Sequence, residues 1–131
     1  MKNMFISILF LLVTVSYAQT IIGDGASPKD VTRISTILAA PKNYIGQKVT
    51  VQGNVIKVCK HSGCKMMLAS DKKYQTLMIK TASRKLFFPI TAIGRKAFAT
   101  GIFTKAPKEK DHAECDEKYI YIINATGATI L

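Results

Sequence analysis

The chain has few acidic residues and lacks the short motifs that mark several common enzyme classes. Its 131 residues contain 8 aspartates and glutamates against 19 lysines and arginines, which gives a net charge of +11. The sequence has no serine nucleophile elbow, no glycine-rich phosphate loop, no C-x-x-C redox motif and no paired-carboxylate motif. We therefore expect a protein that is not an enzyme.

Long apolar runs are also missing, apart from one stretch near the N-terminus. Lys2 precedes an almost wholly apolar run from Met4 to Val15, and residues 16–18 supply small side chains at a cleavage position. This run is shorter than the roughly 18 residues that a transmembrane helix requires. We expect residues 1–18 to be a signal peptide and the mature protein to be exported, to the periplasm or the extracellular space.

The mature chain is small and strongly basic. Removing residues 1–18 leaves 113 residues, enough for one domain, and lowers the net charge only to +10 because Lys2 is the single charge lost. A charge of this size attracts anionic partners, but it also simply keeps a small protein in solution. Charge alone therefore does not define a binding site.

Hydrophobic periodicity predicts one short helix followed by five strands. Ser27 and Pro28 are typical of a helix start, and Pro41 ends the apolar pattern, so we expect a helix near residues 28–40. Alternating apolar residues then indicate a strand of roughly ten residues after Gly46. Four further strand candidates follow, at residues 64–69, 75–81, 96–105 and 118–131. This pattern favours a mainly β protein built as a small closed barrel.

Four motifs in this part of the chain carry a family resemblance. They are Tyr44-x-Gly46-Gln47-x-Val49-x-Val51-x-Gly53-x-Val55, Val58-Cys59-x4-Cys64-x-Met66-x-Leu68, Phe87-Phe88-Pro89 and Ala125-Thr126-Gly127-Ala128-x-Ile130. Together they resemble an exported bacterial OB-fold family that is catalogued as a domain of unknown function. The resemblance implies a five-stranded OB-fold barrel with a short N-terminal helix over residues 30–131, after a lead-in at 19–29. It implies no activity.

The soft-ligand side chains are concentrated in two short stretches that we predict to be loops at strand ends. They are all the cysteines and histidines of the chain: Cys59, His61, Cys64, His112 and Cys115. A hairpin loop between Cys59 and Cys64 would place the two cysteines opposite each other, with Cα atoms ~4.5 to 5.5 Å apart, which suits a disulfide in an oxidising compartment.

A metal site is the alternative for the same residues. The loops after the first and fourth strands of an OB-fold lie beside one binding face, so the two stretches would be neighbours. Three thiolates and an imidazole suit zinc, and Met66 or Met67 nearby would make Cu(I) a candidate. His61 is a further candidate ligand, although an exposed loop histidine without a role is common. One of the two methionines should instead fill the core, because neighbouring strand residues face opposite sides.

The basic side chains provide a second function hypothesis, in which an anionic ligand binds a disulfide-stabilised barrel. The candidate ligand-binding residues are Lys65, Lys72, Lys73, Lys80 and Arg84. An oligonucleotide or another acidic polymer would fit such a set, but Tyr74 is the only aromatic residue between Cys64 and Lys85. Because single-stranded nucleic acid binds through several stacked aromatic side chains, nucleic acid is the less favoured partner. The first hypothesis remains an exported binding or accessory module with a zinc or copper site.

Overall fold

The computed structural model of the protein describes residues 18–59, 63–106 and 121–131. Within these ranges the elements are β1 (Thr20–Gly23), α1 (Ile34–Ala39), β2 (Lys48–Val58), β3 (Lys65–Ala69), β4 (Thr76–Thr81), β5 (Lys96–Lys105) and β6 (Tyr121–Ile130). No helix in the described ranges has the length and apolar character needed to cross a membrane. Apart from Ala18, the expected signal peptide lies outside the described residues.

Strands β2 to β6 close into a barrel. β2 is antiparallel to both β3 and β5, β3 is antiparallel to β4, and β6 is antiparallel to β5. A parallel pairing of β4 with β6, which sets Met78 opposite Ile122, completes the ring. The prediction of a mainly β, five-stranded, OB-fold-like barrel with one short helix is confirmed.

β2 serves two neighbours because it changes partner half way along. Residues 48–54 pair with β5, whereas pairing with β3 begins at Val55 and shifts register before Lys57. Gly53 lies at this change of partner, where a Cβ atom would stand 2.3 Å from the carbonyl oxygen of Ala69. A glycine is required there because the neighbouring backbone leaves no room for a side chain.

β1 is a sixth strand that the sequence patterns did not indicate. It lies within residues 19–29, which we expected to be a lead-in, and it pairs antiparallel with the end of β6, Thr20 opposite Ile130 and Gly23 opposite Gly127. Ile22 points into the barrel core, whereas Ile21 is exposed. Four residues with two adjacent isoleucines give too short an alternation for a strand prediction.

The helix is shorter than expected. Pro28–Asp30 forms a separate 3-10 turn, and Ser27 accepts a hydrogen bond from the Lys29 N–H as the predicted cap. Val31 then bridges Thr50 of β2, which keeps the backbone extended before α1 begins. The prediction of a short helix near residues 28–40 is confirmed, but the α-helix occupies only Ile34–Ala39, because this tertiary contact interrupts the helical periodicity.

The barrel core is almost entirely aliphatic, and α1 adds Ile34 and Ile37 to it. Phe88 and Phe103 are deeply buried and Phe98 is also buried. Phe87, in contrast, is 63% exposed. Phe88 is held by a hydrogen bond from its N–H to the Gly63 oxygen, and the adjacent Phe87 is left outside the core.

Candidate functional site

The predicted cysteine loop lies at the hairpin between β2 and β3. The Cys59 N–H donates to the Lys65 oxygen at 2.9 Å, and the Gly63 N–H donates to the Cys59 oxygen at 3.0 Å. The Cys64 oxygen accepts a hydrogen bond from the Thr81 N–H at the end of β4. The backbone therefore fixes both cysteines at the same end of the barrel.

The two cysteines do not face each other across this hairpin. Val58 pairs with Met66, and the Cys59 to Lys65 hydrogen bond continues that register, so Lys65 is the residue opposite Cys59. The expected arrangement, with Cys59 directly opposite Cys64, was wrong by one residue. Because adjacent residues of a strand face opposite sides, this register does not favour a local Cys59–Cys64 bridge.

The metal-site hypothesis is only partly covered by the structure. His61, His112 and Cys115 lie outside the described residues, so their proximity to Cys59 and Cys64 stays a prediction. Within the described residues, no group of three histidine, cysteine, aspartate or glutamate side chains is placed to hold a metal ion. Cys59 is disulfide-bonded, and a sulfur atom in that state is not a thiolate ligand.

Methionines give the outer face of β3 and β4 a buried apolar cluster. Met67 and Met78 are cross-strand partners and pack with Ile122, separately from the barrel core, whereas Met66 faces that core. The expectation that at least one of Met66 and Met67 fills the core is confirmed. A crevice of about 10 Å³ beside this cluster, which Cys59 and Lys57 also line, is large enough for one water molecule or ion and too small for an organic ligand.

The predicted basic residues separate into two groups along the β3–β4 hairpin. Lys65 and Lys80 are cross-strand partners at the cysteine end, and Arg84 follows β4 at that end. Lys72 and Lys73 lie in the turn at the opposite end, roughly 13 Å away at the usual rise per strand residue. The structure therefore does not bring these five side chains together into one patch.

The turn between β3 and β4 exposes an aromatic side chain in an unusual conformation. The Gln75 N–H donates to the Lys72 oxygen, which closes a β-turn with Tyr74 as its third residue. Tyr74 has a φ of 63°, and it is the sole non-glycine residue with positive φ within the described ranges. Its side chain is 94% exposed, and the Lys73 Nζ lies 5.1 Å from the ring centroid. Turns of this kind normally place glycine or asparagine here.

The same turn is fixed to the helix by Asp71. Its carboxylate accepts hydrogen bonds from the Ser35 hydroxyl and, at 3.0 Å, from the Ser35 N–H in the first turn of α1. Ser70 also donates to Asp71 and to Gln75. The hydrogen bonds from Ser35, that from its hydroxyl first, lower the pKa of Asp71 from 3.8 to about 2. The base of the turn is thus braced, while Tyr74 projects from it.

The sequence indicates Lys72 and Lys73 as candidate binding residues, whereas Tyr74 drew attention only as the sole aromatic residue between Cys64 and Lys85. A signal was present, because Lys72-Lys73-Tyr74-Gln75 puts a large aromatic residue in a polar segment between two strands. No pattern in the sequence indicates the positive φ or the contact of Asp71 with Ser35.

Comparison with known proteins does not assign the chain to a family. No family model matches the chain, and a search of the curated proteins finds no match.

Proposed function

We propose that the protein is an exported binding module that takes an acidic polysaccharide chain at Lys72, Lys73 and Tyr74. The observation that carries the proposal is Tyr74, which is almost fully exposed in a backbone conformation that disfavours a side chain. A left-handed conformation costs a residue other than glycine roughly 1–2 kcal/mol. The contact of the ring with the Lys73 Nζ offsets only part of this cost, because a cation–π contact at an exposed site contributes about 0.5–1 kcal/mol, and we infer that the ring also contacts a partner.

The chemistry of the turn fits a sugar chain that carries negative charge. The ring of Tyr74 presents a flat apolar face to the C–H side of a sugar ring, and its hydroxyl can bond to sugar hydroxyls. The ammonium groups of Lys72 and Lys73 can pair with carboxylate or sulfate groups on neighbouring sugars. In the described residues neither ammonium group forms an ion pair, and the Asp71 carboxylate is occupied by Ser35.

An acidic polysaccharide is favoured over an oligonucleotide by the number of aromatic side chains. Single-stranded nucleic acid binds through successive bases stacked on several aromatic residues. The turn supplies one such residue, Tyr74, which two lysines precede. The expected export of the chain also separates it from the usual nucleic acids.

The test is binding of the purified protein to heparin and to polygalacturonate, measured by calorimetry at low and high salt. Tyr74→Ala should weaken binding ~5- to 100-fold if the ring is stacked as bases stack on aromatic side chains. The double variant Lys72→Ala/Lys73→Ala should weaken it ~2- to 30-fold and reduce its salt dependence.

The matched control is the double variant Lys29→Ala/Lys48→Ala, which removes the same charge from exposed positions elsewhere. Equal losses in both double variants would mean that net charge, rather than this turn, attracts the polymer. Tighter binding of single-stranded DNA than of either polysaccharide would contradict the proposed ligand class.

A further inference from the structure

A second surface, separate from the Tyr74 turn, is an apolar groove beside β1. It has a volume of about 310 Å³ and runs between β1 and residues 85–89. Ile21 on one wall and Phe87 on the other are 65% and 63% exposed. Two large apolar side chains that face one groove, both mostly open to water, indicate a surface for a partner.

The groove follows the backbone edge of β1 rather than one face of the sheet. All four residues Thr20–Gly23 line it, although the side chains of successive strand residues face opposite sides. β1 pairs with β6 along its other edge, and no strand in the described ranges pairs with the edge beside the groove. This edge therefore has backbone groups available for another strand.

The ladder between β1 and β6 identifies those groups. The Asp24 N–H donates to the Thr126 oxygen, which makes residues 24 and 126 a hydrogen-bonded pair in the register of the two strands. Because such pairs alternate along an antiparallel ladder, the N–H and C=O of Ile21 point away from β6. On the facing wall the backbone of Phe87 makes no hydrogen bond to any described residue.

We propose that an extended, acidic peptide segment of a partner protein adds to the open edge of β1, with its apolar side chains against Ile21 and Phe87. An extended backbone supplies the alternating donors and acceptors that this edge leaves unmatched. The Lys85 side chain lines the groove and pairs with a carboxylate of the peptide.

Charge favours an acidic peptide over a second copy of the chain as the partner of the β1 edge. Two copies that each carry a net charge of +11, or +10 after the expected cleavage, repel each other as their β1 edges approach. An acidic segment is attracted instead. β1 also lacks the charged and proline residues that commonly protect an edge strand from unintended pairing.

The probe is an N-acetylated, fluorescein-labelled octapeptide of alternating valine and glutamate, titrated into the purified protein and followed by fluorescence anisotropy. Two altered peptides test the mode of binding. N-methylation at alternate residues blocks edge hydrogen bonding and should abolish binding. Replacement of every glutamate with lysine should also abolish binding, because the peptide is then repelled by the basic protein. Equal affinity of the N-methylated peptide would overturn strand addition.

Variants of the protein test the named residues. Ile21→Pro removes the N–H that faces the groove, a position at which an edge strand tolerates proline, and should lower affinity at least tenfold more than Ile21→Ala does. Lys85→Glu should weaken binding of the glutamate peptide and strengthen binding of the lysine peptide. If Ile21→Pro does not fold, the N-methylated peptide still decides the question on the unaltered protein.

The competing occupants give different results. Light scattering that shows a concentration-dependent dimer, lost on Ile21→Pro, would replace the partner peptide with a second copy of the chain. Displacement of the peptide by a medium-chain fatty acid such as decanoate, with no effect of N-methylation, would make the groove a site for small amphiphiles. Either outcome would overturn the proposal.

Discussion

Ser35 and Asp71 join the first turn of the helix to the turn between β3 and β4. Ser35 donates both its hydroxyl and its backbone N–H to the one carboxylate, although Arg33 at the N-cap position forms no side-chain cap. An acidic side chain from elsewhere in the fold therefore satisfies a helix N–H that the local sequence leaves open.

We expect this contact to make stability depend on pH in the acidic range. The pKa of Asp71 is about 2 in the folded protein, against an ordinary value of 3.8. Its ionised carboxylate therefore contributes fully to the free energy of unfolding at pH values above 3.8. The contribution is lost as the pH falls through about 2. The free energies of unfolding of the wild type and of Asp71→Asn, measured in urea, should differ at pH 6 and become more similar as the pH falls towards 2. Asp30→Asn, another exposed aspartate, is the control; a gap between Asp71→Asn and wild type that stays constant with pH would contradict the expectation.

Replacing Tyr74 with glycine should separate binding from stability. Glycine adopts a φ of 63° without strain, although it adds entropy to the unfolded chain. We expect the free energy of unfolding to stay equal or to rise by up to about 1 kcal/mol, while binding to the polysaccharide weakens ~5- to 100-fold, as for Tyr74→Ala. Thermal melting and calorimetry measure the two effects. A clear loss of stability would mean that the ring supports the turn itself.

Adding one methyl group at Gly101 should destabilise the barrel. A Cβ atom there would lie 2.0 Å from the Asn124 oxygen, at the register shift between β5 and β6. Gly101→Ala forces the two backbones apart, and we expect a loss of about 1–3 kcal/mol in the free energy of unfolding. Thr104→Ala, further along β5, is the control for changes in β propensity. Equal stability of the two variants would contradict the close backbone approach.

A peptide map under nonreducing conditions should show that Cys59 does not bridge Cys64. Cys59 is disulfide-bonded, and Lys65 is the residue opposite it. Cys64 is not disulfide-bonded, so we expect mass spectrometry to detect Cys59 in a cross-linked peptide pair that lacks Cys64. A cross-linked Cys59–Cys64 peptide would contradict this expectation.

Soft-metal binding should depend on the redox state of the protein. A thiolate is the form of cysteine that binds zinc or Cu(I), and Cys59 is in a disulfide. We expect the oxidised wild type to bind zinc more weakly than the reduced wild type, and after reduction Cys59→Ser should bind zinc more weakly than the reduced wild type. Native mass spectrometry with added zinc measures both states. Equal zinc affinity of the oxidised and the reduced wild type would contradict the expectation.

The barrel was predictable because its strands are short apolar or alternating runs bounded by polar and glycine-containing turns. The predicted strand at residues 96–105 matches β5, Lys96–Lys105, and the other four predictions agree to within a few residues. Burial alternates over Lys48–Val51 of β2, whereas β3 and β4 each bury three successive apolar residues, and both patterns are visible in the sequence. The helix was overestimated, because the bridge from Val31 to Thr50 depends on a strand that follows it in the chain.

The candidate sites were less predictable because they depend on contacts between distant segments. The sequence indicated Lys72 and Lys73, but the orientation of Tyr74 follows from a turn whose base is fixed by Ser35, 36 residues away from Asp71. The groove arises where residues 20–23 meet residues 85–89, and neither segment has a strong pattern of its own. Residue type and spacing identify candidate side chains, whereas the fold decides which of them share a surface.

The pairing of β6 has a consequence for the order in which the barrel can fold. β6 is the partner of β1, β4 and β5. Until residues 121–130 are present, β4 pairs only with β3, β5 pairs only with β2, and β1 has no partner among the described strands. The hairpins of β2 with β3 and of β3 with β4 can form early, but they leave an open sheet. During synthesis the barrel therefore cannot close until β6 emerges, and the pairing of β6 with β5 on one side and β4 on the other then completes the ring.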